Sequence, residues 1–445
     1  MDRKKGIIWV CCVLMGLLLS GCVFSSSPED MYSLPQLPSE YTELREQLDS
    51  ILAAGAEYAA PTSGTNIQSV QLTDLDGDGV EEAVAFFRNA DDEKPLKIYI
   101  FRAVGDSYEQ AALIEGSGTA IHSIRYVDMD NDGLREIIVG WRVSADIQAL
   151  GVYSIENYEP RLVMSSLYTR YEVLDFDSDL TQEIVLLRSD NQGDPVAELY
   201  DWEGEDMVAH STTRLSMTMA ELRSMDVGTL RDGETALFVT GVVEDTRSVT
   251  DILAYRQDAI SNIVRSDVTG VTSEIFRYIS LEPMDIDSDG VTEVPMPMVL
   301  PSTMEDSEEI FWQVDWVSYN ARGQRETAAS TYHNINEGWY LLLPDQWSGQ
   351  IAVRQELDSD ERATIFSART NDGSYEDVMA IYTITGNSRE YKATRDGRFV
   401  LKREVGTIYA GEFFDYNDSW RHAINQEKLN QSFRLIAKEW VVGEN

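Results

Sequence analysis

Two kinds of short apolar run recur between about residue 66 and residue 335. In the first kind apolar and polar positions alternate, as at Val70 and Leu72, Ile124 and Tyr126, and Tyr171 and Val173. Period-two alternation predicts a strand with one dry face. The second kind is continuous, at residues 83–87, 137–139 and 184–187. Such a run predicts a strand covered on both faces, as in stacked sheets. Further strand-like runs, such as 96–101 and 152–155, follow before the pair recurs. Outside this region the period changes. Tyr41, Leu44, Leu48, Ile51 and Leu52 have helical spacing, with Ser39 placed to cap the start and Gly55 the end, so 39–55 is predicted as one amphipathic helix. Beyond residue 335, strand-like runs at 351–353, 378–384, 399–401 and 407–410 precede Leu429, Phe433, Ile436 and Trp440, spaced as a closing helical stripe. Strands followed by a helix predict a smaller α+β domain over 336–445.

An acidic loop separates each alternating run from the continuous run after it. With its first aspartate as position 1, each loop carries acids at positions 1, 3, 5 and 9. Loop 1 has Asp74, Asp76, Asp78 and Glu82; loop 2 has Asp128, Asp130, Asp132 and Glu136. Loop 3 has Asp175, Asp177, Asp179 and Glu183; loop 4 has Asp285, Asp287, Asp289 and Glu293. Acids are 77 of 445 residues, which would fill those positions by chance about 0.4 times along the chain. Four occurrences in one setting are therefore a pattern. A fifth, degenerate unit has Leu222 and Asp226 in the expected places, then Asp232-Gly233 and the apolar run 236–239, with its ligand positions lost. First positions at Asp74, Asp128, Asp175, Asp226 and Asp285 are separated by 54, 47, 51 and 59 residues. Four short strands with their connections need about that length, which is one β-propeller blade. The predicted fold class is mainly β: a β-propeller of about five blades over 60–335, followed by the α+β domain.

Calcium is a hard cation that takes six to eight oxygens. A tight loop offers side-chain oxygens at positions 1, 3 and 5 and a main-chain carbonyl at position 7, here Val80, Leu134, Thr181 and Val291. Glycine at position 6 permits the left-handed turn that this needs, and the acid at position 9 closes the shell. Loop 3 has Leu180 at position 6. A left-handed leucine costs roughly 1 kcal/mol or more, so this site is expected to be weaker or distorted. An EF-hand needs its acid at position 12 and helices on both sides. Position 12 is Ala85, Val139, Leu186 and Met296, and the flanks read as strands. The same residues also fit Asp-Gly-rich turns that hold no metal.

A 1-3-5-7-9 loop between strands resembles the FG-GAP or VCBS-type repeats of integrin alpha-like propellers, over about residues 60–335. The resemblance implies that the four acids of each loop are side-chain calcium ligands, up to four structural ions in all. The Phe-Gly and Gly-Ala-Pro signatures of the family are missing here, so integrin-like ligand recognition is not implied.

The chain begins with Arg3, Lys4 and Lys5, an apolar stretch over 7–19, and Leu19-Ser20-Gly21-Cys22. This looks like a bacterial lipoprotein signal peptide over 1–21, and implies lipidation of Cys22. Several acyl chains would hold the protein on a membrane. Residues 22–38, with Ser25, Ser26 and Ser27 and three prolines, read as a tether. The expected location is outside the cell: the outer side of the cytoplasmic membrane or the cell surface. Cys11, Cys12 and Cys22 are the only cysteines, so none remains after cleavage for a disulfide or a thiol nucleophile. The net charge of −41 argues against nucleic acid as a partner.

No catalytic motif is found. His122, His210, His333 and His422 lack zinc-ligand spacing, and there is no Gly-x-Ser-x-Gly elbow or Walker loop. Trp312, Trp316, Trp339 and Trp347 fit either an aromatic platform for sugar or peptide, or core packing. The expected function is a lipid-anchored cell-surface binding or scaffold protein with an unknown protein or glycan ligand. The alternatives are a glycan-active hydrolase or lyase using the propeller as scaffold, and a structural subunit of an envelope complex.

Overall fold

The computed structural model describes residues 41–105, 107–244, 247–266, 272, 281–304 and 310–436. The expected signal peptide, tether, Cys22, Ser39 and Trp440 lie outside them. Among the described residues the fold is mainly β, built from six antiparallel sheets of four or five strands, the blade unit of a β-propeller. No helix among them is long and apolar enough to cross a membrane. The chain divides into two compact units.

Among the described residues, the first unit comprises 41–60, 68–73 and 80–116. The helical spacing expected from Tyr41 onward is realised as α1 (Thr42–Ala53), which ends before Gly55 at φ 98°. Leu44 and Leu48 are buried against Ala83, Ala85, Phe87 and Phe101. Those residues come from sheet 1, in which Glu82–Arg88 pairs with Leu96–Val104 on one side and with Val70–Thr73 and Glu57–Tyr58 on the other. Ser107–Gly116 completes it. Residues 83–87 are wholly buried, as a continuous apolar run requires.

Among the described residues, the second unit comprises 61–67, 74–79 and those from 117 to 436. Sheet 2 is a meander of Ala120–Val127, Glu136–Arg142, Gln148–Ser154 and Arg161–Tyr168. Sheet 3 repeats it with Arg170–Leu174, Glu183–Ser189, Pro195–Glu203 and Asp206–Arg214. Sheet 4, the degenerate unit, keeps its strands: Leu222–Thr229, Thr235–Val243, Arg247–Tyr255 and Ile260–Asn262. Successive sheets share apolar clusters. Ile138 and Leu150 of sheet 2 pack with Ile184 and Leu186 of sheet 3. Val185 and Leu199 of sheet 3 pack with Leu237 and Val249 of sheet 4.

Asp226 does not open a loop. It sits within Leu222–Thr229, paired with Phe238 and exposed, and the turn that follows spans only 230–234. The even spacing drawn through Asp226 is corrected accordingly. In this turn Asp232 accepts hydrogen bonds from the main-chain N–H of Ala321 at 3.0 and 3.3 Å, a protein donor where the long loops offer several carboxylates.

The boundary expected at 335/336 falls inside sheet 5. Val294–Leu300, Phe311–Tyr319 and Arg325–Asn334 continue into Trp339–Leu343, with His333 paired to Tyr340. A tight turn makes this possible: the Asn334 side chain accepts from Glu337 N at 3.3 Å, and Gly338 takes φ 72°. The change in composition there marks the end of the acidic loops, not the end of a sheet. The closing helical stripe is also corrected. Gln426–Ser432 is helical and capped by Asn425, but Phe433–Leu435 is a strand on Trp339–Leu341. Phe433 packs on Trp339 and Tyr409 there, and those contacts outweigh the helical period. Sheet 6 consists of Ile351–Asp358, Glu361–Arg369, Tyr375–Ile384, Thr407–Phe413 and Phe399–Glu404. Trp316, Trp339 and Trp347 are fully buried, the packing role rather than an open platform.

Candidate metal centres

Each acidic loop connects two paired strands of one sheet; in loop 4 the strand before the loop is reduced to the Met284–Glu293 bridge. The carboxylates organise the turns. At position 1, Asp74, Asp128, Asp175 and Asp285 accept from the N–H at position 6 over 2.9–3.2 Å. At position 3, Asp76, Asp130 and Asp177 accept from the N–H at position 5 over 3.1–3.3 Å. At position 5, Asp132, Asp179 and Asp289 accept from position 7 over 2.7–2.8 Å. At position 9, Glu136, Glu183 and Glu293 reach back to the N–H of position 2 over 2.6–3.1 Å. Glu82 begins Glu82–Arg88, pairs with Thr73 and is buried. Of the position 7 residues, Val80 is exposed and Leu134, Thr181 and Val291 are half-buried.

Left-handed backbone occurs at position 6 in every loop: Gly79 at φ 86°, Gly133 at 93°, Leu180 at 81° and Gly290 at 90°. Position 4 is left-handed too, at Gly77, Asn131, Ser178 and Ser288. Leu180 thus holds a glycine conformation with its side chain 73% exposed, so no burial compensates the strain. Leu180→Gly is expected to stabilise the protein by about 1 kcal/mol in urea melts; an unchanged or lower midpoint would contradict this.

The aspartates are brought together. Ligand atoms of Asp74, Asp76 and Asp78 lie within 4.8 Å of one another, as do those of Asp128, Asp130 and Glu136, of Asp175, Asp177 and Glu183, and of Asp285, Asp287 and Asp289. Such crowding raises carboxyl pKa values. Burial, with the neighbouring aspartates, pushes Asp130, Asp177 and Asp287 up. Burial lifts Glu136, Glu183 and Glu293 to about 7, against the main-chain hydrogen bonds each accepts. Asp179 is held down by the hydroxyl and N–H of Thr181. In these loops, among the described residues, three buried oxygens have no hydrogen-bond partner: Asp74 Oδ1, Asp128 Oδ1 and Glu293 Oε1. The donor set is all oxygen, which suits a hard divalent cation.

Three features were not legible in the sequence. Tyr158, from the turn between the third and fourth strands of sheet 2 and with φ 60°, donates its hydroxyl to Asp76 Oδ2 at 2.8 Å. Main-chain bonds also join one loop to the next: Arg135 N to Leu75 O at 2.8 Å and Gln182 N to Met129 O at 2.7 Å, each from position 8 to position 2 of the preceding loop. Thr292 N bonds Thr229 O of sheet 4 in the same way at 2.9 Å. Finally, a Cβ on Gly77 would stand 2.6 Å from the Gly133 carbonyl oxygen. Gly77→Ala is therefore expected to cost about 2 kcal/mol, from a backbone clash added to φ 70°. A thermal melt within about half a kcal/mol of the parent would show that the two loops part without cost.

Residues 74–139 match the FG-GAP-like repeat, from the first position of loop 1 to the buried strand after loop 2. No curated protein matches the chain. Among solved structures, an exo-beta-1,3-galactanase from Phanerochaete chrysosporium with galactose is similar at 10% identity and a TM-score of 0.26, over 77% of this chain and 81% of that one. A likeness of that size carries no argument about activity.

Proposed function

We propose that this protein is a calcium-stabilised scaffold of FG-GAP type, exported and held by lipid at Cys22 on the outer side of a bacterial membrane, where it binds a protein or glycan rather than transforming it. The observation that carries the metal reading is the set of buried carboxylate oxygens without partners, Asp74 Oδ1, Asp128 Oδ1 and Glu293 Oε1, each in a loop where three acids converge. Asp74, Asp76 and Asp78 would hold one ion. Asp128, Asp130, Asp132 and Glu136 would hold a second, Asp175, Asp177, Asp179 and Glu183 a third, and Asp285, Asp287, Asp289 and Glu293 a fourth. The ion would neutralise clustered charge and tie each turn to its strands. The location is supported by the basic residues, apolar stretch and Leu-Ser-Gly-Cys at the start of the chain.

Calorimetric titration of the EDTA-treated, desalted protein tests this. Up to four calcium ions are expected, with dissociation constants of about 10⁻⁴–10⁻³ M, typical of extracellular modules. Absence of calcium binding in that range would end the metal reading. Labelling with a radioactive fatty acid, lost in Cys22→Ala, tests the anchor separately.

A further inference from the structure

Arginines stand at the ends of sheets 2 and 3 remote from the acidic loops, beside turns that carry Asp146, Asp190 and Asp194. Arg142 closes Glu136–Arg142, Tyr168 closes Arg161–Tyr168, and Arg170 opens the next sheet two residues later. The register of Ala120–Val127 slips between Ile121 and Ser123, so His122 occupies a β-bulge. Bulges re-aim side chains at sheet ends. Here the His122 ring meets Arg142, with Nδ1 at 3.3 Å from the guanidinium, which also reaches Thr62 Oγ1 at 3.5 Å.

Three observations set this cluster apart. Among the described residues neither Arg142 nor Arg170 has an acidic partner, in a chain with 77 acids and 36 bases; the nearby Glu172 is taken by Arg125 at 2.6 Å. Burial, with the charges of Arg142 and Arg170, holds His122 below its ordinary value. The Tyr168 hydroxyl is buried without a well-formed hydrogen bond; it lies over Gly140 beside the Ser123 hydroxyl, where a Cβ at 140 would come within 2.5 and 2.6 Å of the two oxygens.

We propose that Arg142, Arg170 and His122, with the Tyr168 hydroxyl, form a binding site for a carboxylate group. Guanidinium forks match the two oxygens of a carboxylate. With Nδ1 turned to Arg142, neutral His122 carries its proton on Nε2 as a further donor. A monoanion is favoured over sulfate or phosphate because a protein of charge −41 opposes each added negative charge. The site supplies a ligand chemistry for the binder reading, but it does not depend on calcium.

Saturation-transfer NMR on the full-length protein tests it, with glucuronate and N-acetylglutamate as probes, and sulfate and glucose as comparisons. At least one carboxylate is expected to bind, be displaced by acetate, and lose about tenfold or more in affinity in both Arg142→Gln and Arg170→Gln. Arg102→Gln, in sheet 1, is expected to bind as the parent does. The tighter of the two probes identifies a sugar acid or an amino-acid acid as the source. Four results would each overturn the proposal: no transfer to either carboxylate, parental affinity in both variants, equal binding of glucose, or tighter binding of sulfate. If Arg142→Gln fails to fold, the exposed Arg170→Gln carries the test. Calcium binding is read by calorimetry, so failure of the metal reading leaves this result interpretable.

Discussion

Chelation of calcium is expected to lower the melting temperature by about 5–10 °C. At ten times its dissociation constant, each ion adds about 1.4 kcal/mol, so four sites together give roughly 5 kcal/mol. A chain of this length loses about a degree or more per kcal/mol. The metal-free state has its own pH dependence. Glu136, Glu183 and Glu293 have folded pKa values raised to about 7, against an ordinary value near 4.3. For a raised carboxyl, the native state binds more protons than the unfolded chain. The resulting stability is fully present below the unfolded value and is lost as pH rises through 7. Protons can thus replace part of what the cation does. The effect of EDTA is expected to be largest at and above pH 7 and to shrink toward pH 4.5. Scanning calorimetry with and without EDTA at several pH values measures both. Superimposed curves at pH 7.5 would remove calcium from the account of stability. The main-chain bonds between loops 1, 2 and 3 make their responses coupled rather than independent.

Acid is expected to weaken the protein through His333 by about 3 kcal/mol between pH 6.5 and 4. This ring is buried in sheet 5, stacked on Tyr340 at 5.0 Å with 5° between the planes. Nδ1 is 3.0 Å from Thr331 Oγ1, which also accepts from Trp316 Nε1 at 2.8 Å, while Nε2 is buried without a partner. Burial pushes the imidazole down to about 4. The unfolded chain takes up this proton near pH 6.5 and the native state refuses it until about 4, so stability falls across that window and levels off below it. At about 1.4 kcal/mol per unit, the interval gives the stated figure. His333→Phe is expected to abolish this component, so its urea-derived stability should fall less than the parent's from pH 6.5 to 4. Carboxylates titrate equally in both proteins and cancel in the difference. Parallel pH profiles would mean that His333 is protonated at little cost.

Much of this molecule was readable along the chain. Alternating and continuous apolar runs report burial of one or two strand faces, a local property, and they placed the paired strands of sheets 1 to 3 and α1. The spacing of Asp128, Asp130, Asp132 and Glu136 is likewise local, since a nine-residue loop brings its own acids together. Leu180 at a left-handed position could be foreseen because backbone sterics act within one residue.

What required the tertiary structure depends on partners far apart in sequence. Asp226 has the right spacing but stands in a strand, because the register with Phe238 decides where the turn falls. Phe433 has helical spacing yet extends along Trp339, because aromatic packing across nearly a hundred residues outweighs a weak local period. The Tyr158 bond to Asp76, the closeness of Gly77 to Gly133, and the meeting of His122 and Arg142 arise only when separate strands are brought side by side. Local periodicity and spacing are carried by neighbouring residues, so the sequence alone determined the strands and the acidic loops; register and long-range contact arise only in the folded chain, so the tertiary structure decided which loops touch and where the unpaired cations gather.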